Sequence, residues 1–182
     1  MQSAASFSRD ANRVPITKPG LQVKKSITLV TGNTTHYFPL FTVTGAVEVM
    51  TLYGIVTTAL GSNVTAAYWR EQDQTTQADI SLNTGTTLSS ASIGSVIARI
   101  SVATIALSLK NSSAGGVLDP VAATAPDVFM PFVVVQKTGS IKTEIEFVYT
   151  TNNGSLGAIQ FFCGFIPIST DGDVIPSTTD AY

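Results

Sequence analysis

Few residues in this chain could do chemistry, and each stands apart from the others. His36 is the only histidine, so any imidazole general base or catalytic triad would centre on it. It lies in Thr34-Thr35-His36-Tyr37, at an expected strand start, with no nucleophile-elbow pattern beside it. The simpler reading is a strand-end histidine. Cys163 is the only cysteine, which excludes an intrachain disulfide and a cysteine-rich zinc site. Alternation along Phe161-Phe162-Cys163-Gly164-Phe165 puts its side chain with Phe161 and Phe165, as a buried apolar group. A reactive thiol needs an electropositive setting, and none is adjacent in sequence. Asp171-Gly172-Asp173 sets two carboxylates around a glycine. Calcium takes about six to eight oxygens, and no EF-hand spacing follows, so the triplet reads as a turn.

The densest polar-aromatic cluster is Tyr68-Trp69-Arg70-Glu71-Gln72-Asp73. Trp and Arg anchor interfaces, and aromatic rings stack on sugars. Tyr68, Trp69 and Arg70 are therefore the candidate interface or glycan contacts. The simpler alternative packs Trp69 at the rim of a sandwich. Neither G-x-x-x-x-G-K nor G-x-G-x-x-G occurs, so no phosphate-binding glycine loop is expected. The sequence assigns no catalytic residue, no metal ligand and no cofactor.

The elements that must position these residues are β-strands. The chain has 182 residues, the length of one domain. Charged residues make up 12%, about half the usual share of roughly 25%. The 18 Ser and 25 Thr that replace them favour pleated surfaces and turns over a helical bundle. The apolar fraction of 44% and a net charge of −2 argue against disorder. So sparse a charge suits a surface partly buried against neighbours, and we expect a homo-oligomer or a component of a larger assembly.

The charge is also uneven. Residues 1–25 hold Arg9, Arg13, Lys18, Lys24 and Lys25 against Asp10, a balance of +4. The other 157 residues hold five basic and eleven acidic groups, a balance of −6. A basic arm on an acidic body fits docking onto an acidic neighbour. Without an aromatic ladder it does not point to specific nucleic-acid binding. No compact apolar leader opens the chain, and the longest apolar run, Val128–Val135, is too short to span a bilayer. The protein is expected to work without a membrane.

Pro15 and Pro19-Gly20 block a helix in residues 1–22, which read as an extended basic arm. Residues 23–168 read as the body, with strands near 23–30, 37–43, 45–59, 63–70, 78–82, 98–110, 127–136, 140–150 and 158–168. Over 141–149, Ile141, Thr143, Ile145, Phe147 and Tyr149 share one face, while Lys142, Glu144 and Glu146 form an expected wet side. Asn152-Asn153-Gly154 predicts a hairpin between the last two strands. In 88–99, Ile93 and Ile97 are four apart, as in a short helix. Residues 111–126 read as a long surface loop and 169–182 as a polar tail. The expected fold is a single antiparallel β-sandwich or jelly-roll-like domain.

Two stretches carry a resemblance. One is Phe41-Thr42-Val43-Thr44-Gly45-Ala46-Val47-Glu48-Val49, continuing through Gly54-Ile55-Val56-Thr57-Thr58. The other is Phe165-Ile166-Pro167-Ile168-Ser169-Thr170-Asp171-Gly172-Asp173-Val174. Together they resemble the opening and closing signatures of a family of small β-rich tailed-phage virion proteins. The resemblance implies a non-enzymatic virion component, most simply a capsid decoration (cement) protein assembled in the host cytoplasm. Its implied partners are itself, as a trimer, and the major capsid protein. The basic arm would then clamp neighbouring subunits. The competing readings are a tail or head-fibre component with a glycan-binding surface, which would expose Tyr68 and Trp69 in a groove, and a hydrolase that depends on His36.

Overall fold

The computed structural model describes residues 21–73, 76–100, 105–110, 129–137, 142–152 and 157–179. Among them run eleven strands and no helix. The first six are β1 (Leu21–Thr28), β2 (Thr34–Thr44), β3 (Ala46–Thr58), β4 (Val64–Asp73), β5 (Gln77–Asp79) and β6 (Val96–Ala98). The others are β7 (Ser108–Lys110), β8 (Phe132–Val135), β9 (Thr143–Thr151), β10 (Ala158–Pro167) and β11 (Asp173–Pro176).

They form two antiparallel sheets packed as a sandwich. The first runs β1-β10-β3-β6-β7, with β8 also paired to β3, and the second runs β11-β2-β9-β4-β5. The pairs β1–β10, β2–β9, β3–β8 and β4–β5 nest inside one another along the chain. Rolling up such a nested ladder sends successive strands to opposite sheets, which is the jelly-roll arrangement. The corners are sharp. Only Gly45 separates β2 in one sheet from β3 in the other, and its φ of +56° is a conformation that favours glycine.

The core lies between the sheets and is aromatic at its centre. Phe147 of β9 sits 4.8 Å from Phe161 of β10, across the sandwich. Trp69 of β4 meets the same two rings at 5.8 and 6.2 Å, the second edge-on. Leu40, Phe41, Val47, Leu52, Ile97 and Ile145 fill the space around them.

Several expectations are revised. The Asn152-Asn153-Gly154 turn does not make a hairpin: β9 pairs β2 and β4, while β10 pairs β1 and β3 in the other sheet. Of the run expected as one strand over 98–110, Ala98 ends β6 and Ser108–Lys110 form β7, and these two short strands pair with each other. Residues 88–95 turn rather than coil into a helix, because Ser90 and Gly94 take φ of +57° and +83°. Within the expected polar tail, Asp173–Pro176 forms β11 on the edge of β2. At the other end Leu21 and Gln22 already belong to β1. The loop expected at 111–126, and Ile141, lie outside the described residues.

The expected wet side of β9 is also absent. Glu144 and Glu146 are buried, Glu146 completely. Alternation is kept, but the second face of this central strand is covered as well.

Candidate functional site

The strand geometry of β4 divides the Tyr68-Trp69-Arg70 cluster between two faces. Trp69 points inward and is 0% exposed. It presents no face to a sugar, and the groove expected of a glycan platform is not built on it. Its Nε1 has no hydrogen-bond partner among the described residues. Tyr68 and Arg70 lie on the outer face. Burial raises the Tyr68 phenol above its ordinary pKa, partly opposed by the Arg70 charge.

Arg70 is committed to the fold. Its Nε donates to Glu146 Oε2 at 2.6 Å, its Nη1 donates to Gln77 Oε1, and its guanidinium lies 4.2 Å from the centre of the Tyr37 ring. Arg70 and Glu146 are direct cross-strand partners, so the β4–β9 register positions this pair. A little farther along β9, the Glu144 carboxylate accepts hydrogen bonds from the Ser177 and Thr179 hydroxyls at 2.6 and 3.0 Å. Glu144 thus holds the segment after β11 against the sheet.

The five expected arm cations divide similarly. Arg9, Arg13 and Lys18 lie outside the described residues. Lys24 is on the exposed face of β1. Lys25 shares the inward face with Val23 and Ile27, at the edge where the sheets meet. Its ammonium donates to the carbonyls of Pro39 at 2.6 Å, Ser177 at 2.8 Å and Thr179 at 3.4 Å. Lys25 therefore closes the β1–β11 seam within the fold. Hydrogen bonds to a charged group contribute about 1.5–3 kcal/mol in partly buried settings. Lys25→Met is expected to speed amide exchange of Ser177 by about tenfold or more, and Lys24→Met to leave it unchanged. Hydrogen exchange read by mass spectrometry checks both.

The single histidine and cysteine are packed. The His36 ring lies 5.2 Å from that of Tyr149, with Nε2 3.3 Å from the Thr151 hydroxyl. Burial lowers its pKa. Cys163 is buried among Phe161 and Phe165, and desolvation pushes its thiol up to about 12. Among the described residues, no group of three or more His, Cys, Asp or Glu side chains is placed to hold a metal ion.

The Asp171-Gly172-Asp173 turn has a structural use. It packs against Gly45, so that the two stretches carrying the family resemblance meet. Ala46 N donates to Ser169 Oγ at 2.7 Å, Ile168 N to Ala46 O at 2.8 Å, and the Thr44 hydroxyl to Asp171 O at 3.0 Å. A Cβ on Gly45 would stand 2.8 Å from the Asp171 backbone carbon, and one on Gly172 would stand 2.4 Å from Ala46 O. Both glycines are needed for this close approach.

The feature that residue types alone did not reveal is the outer face of the first sheet. Register places Val133, Glu48 and Ile166 in one row across β8, β3 and β10. In the next row Val135 pairs with Ala46, and Ile168 N bonds to Ala46 O. Val133, Val135 and Ile168 are each more than half exposed. The signal was present as an apolar run at 127–135, but only the sheet shows which of its members face out. No protein-family model matches this chain, and neither a curated protein nor a solved structure shows significant similarity to it.

Proposed function

We propose that this protein is a non-enzymatic structural component of a virion, a capsid decoration protein that self-associates and docks on the head shell. The observation that carries the reading is the outward apolar pair of rows holding Val133, Val135, Ile166 and Ile168. Apolar side chains held outward in neighbouring rows, here on both sides of Glu48, are what an assembly buries. The sparse charge and the resemblance to small phage virion proteins support the same reading. Jelly rolls are shared with viral capsid domains and with lectins and cupins, so the topology adds analogy only.

The test is co-sedimentation with empty head shells, together with the solution mass, for the full chain and for a chain lacking residues 1–20. The full chain is expected to self-associate and to pellet with shells, and the shortened chain to lose shell binding. A full chain that is monomeric and stays in the supernatant overturns the proposal.

A further inference from the structure

Beside β8 lies a cleft of about 360 Å³ whose cations are engaged within the chain. Lys137 binds Asp73 at 3.1 Å, and Arg99 donates to the carbonyls of Ile80 and Met130. The charges on the outer face of the first sheet are not so engaged. Among the described side chains that face carries two, of opposite sign: Lys24 on β1 and Glu48 on β3. Neither makes a hydrogen bond or ion pair among the described residues. Register holds them apart. Lys24 stands beside Phe162, and Glu48 stands beside Ile166, four residues along β10 and on its other side. Strand and residue spacings put their Cα atoms about 17 Å apart, too far for the two side chains to meet within one chain.

The middle of this face is aromatic. The Tyr53 and Phe162 rings stack at 4.9 Å with 13° between their planes, and Phe129 meets Tyr53 at 6.1 Å. Tyr53 and Phe162 are both partly exposed. Partly exposed aromatic rings near the centre of a face are where protein interfaces concentrate their binding energy. Gly164 marks the midpoint between the two charges. It lies on β10 between Phe162 and Ile166, paired with Gln22 on one side and Thr51 on the other.

A face with one unpaired cation and one unpaired anion on either side of an aromatic centre is complementary to itself. A half-turn about an axis lying along the face through Gly164 sets Lys24 of each copy on Glu48 of the other. It makes two equal ion pairs, as an isologous interface requires. We infer that the outer face of the first sheet pairs with the same face of a second copy about such a twofold axis, with the Tyr53–Phe162 stacks near its centre. The extent of the face fits. It is five strands wide and ~30 Å long from Ala46 to Ile55, up to roughly 700 Å² per copy, against the ~800 Å² that each partner of a standard interface buries. The Val133 and Ile166 row continues the same face at one end. The inference rests on the reading of the protein as a self-associating component, and names the face at which the copies are joined.

The test is sedimentation equilibrium of full chains. Lys24→Glu and Glu48→Lys each set like charges together at both contacts, and each is expected to weaken self-association by about tenfold or more. The double reversal, Lys24→Glu with Glu48→Lys, is expected to return it to within about threefold of the wild type, a recovery that misfolding cannot produce. Neither residue belongs to the core, so urea unfolding of the three variants is expected to match the wild type. In the wild type, a carbodiimide that joins amines directly to carboxylates is expected to link Lys24 to Glu48, a link that their separation forbids within one chain. Self-association unchanged by the single reversals, a double reversal as weak as the singles, or no Lys24–Glu48 link would each overturn the inference and leave the assembly reading standing. A monomeric wild type would overturn both. Wild-type binding to head shells, run alongside, decides the decoration reading separately.

Discussion

Trp69→Ala is expected to lower the free energy of unfolding by about 3–5 kcal/mol, the range for removing a fully buried aromatic side chain. Trp69 is the largest of the fully buried side chains and touches rings from both sheets. Its loss removes contacts on β4, β9 and β10 together, and the surrounding strands are too constrained by their ladders to collapse into the space. Urea unfolding followed by circular dichroism measures the loss. Trp69→Phe is expected to cost much less. It keeps a ring in the core and removes an indole N–H that has no partner among the described residues, a group whose burial unpaired costs about 1–3 kcal/mol. If Trp69→Ala left stability unchanged but abolished binding to sugars, the buried placement of this residue would be wrong and the glycan reading would return.

The second large effect concerns the ion pair behind the outer surface. Arg70→Met is expected to destabilise the protein by about 3–5 kcal/mol, because it leaves the buried Glu146 carboxylate without its cation. The Glu146 side chain is 0% exposed and that of Arg70 is 9% exposed, so solvent screens this pair weakly. The cost should lie in the orphaned charge more than in the lost attraction. Arg70→Met combined with Glu146→Leu is therefore expected to recover most of the loss, as replacing a buried pair by apolar groups often does. A double-mutant cycle in urea measures the coupling. Equal losses in the single and double variants would show that the attraction itself holds β4 to β9.

Much of the fold was legible before the coordinates. Of the nine expected strands, eight overlap an observed element over most of the shorter partner's length, and the ninth contains β7 but only Ala98 of β6. These runs are β-branched and aromatic, and their ends carry Gly, Asn and Pro, so local sterics alone mark them. Cys163 was legible as core because period-2 alternation sets it beside Phe161 and Phe165. Of the candidate contacts, Tyr68 and Arg70 do lie on an outer face, but Trp69 faces the core. Lys25 sits in a seam that no local pattern announces.

The sequence by itself determined that the chain is β-rich, where it turns, and which residues alternate, because these follow from steric preferences spanning a few neighbouring residues. Tertiary structure decided which strands pair, since Asn152-Asn153-Gly154 suits a crossing between sheets as well as a hairpin within one. It also decided which second faces are covered. Alternation along β9 separates Glu144 and Glu146 from Phe147, but burial depends on groups far along the chain: Arg70, 76 residues before Glu146, and Ser177, 33 residues after Glu144. The same long-range pairing aligned Val133 and Ile166 across Glu48 and opened the cleft beside β8. An outward row of side chains is a property of strands brought together from distant parts of the chain, and no window of neighbouring residues contains it.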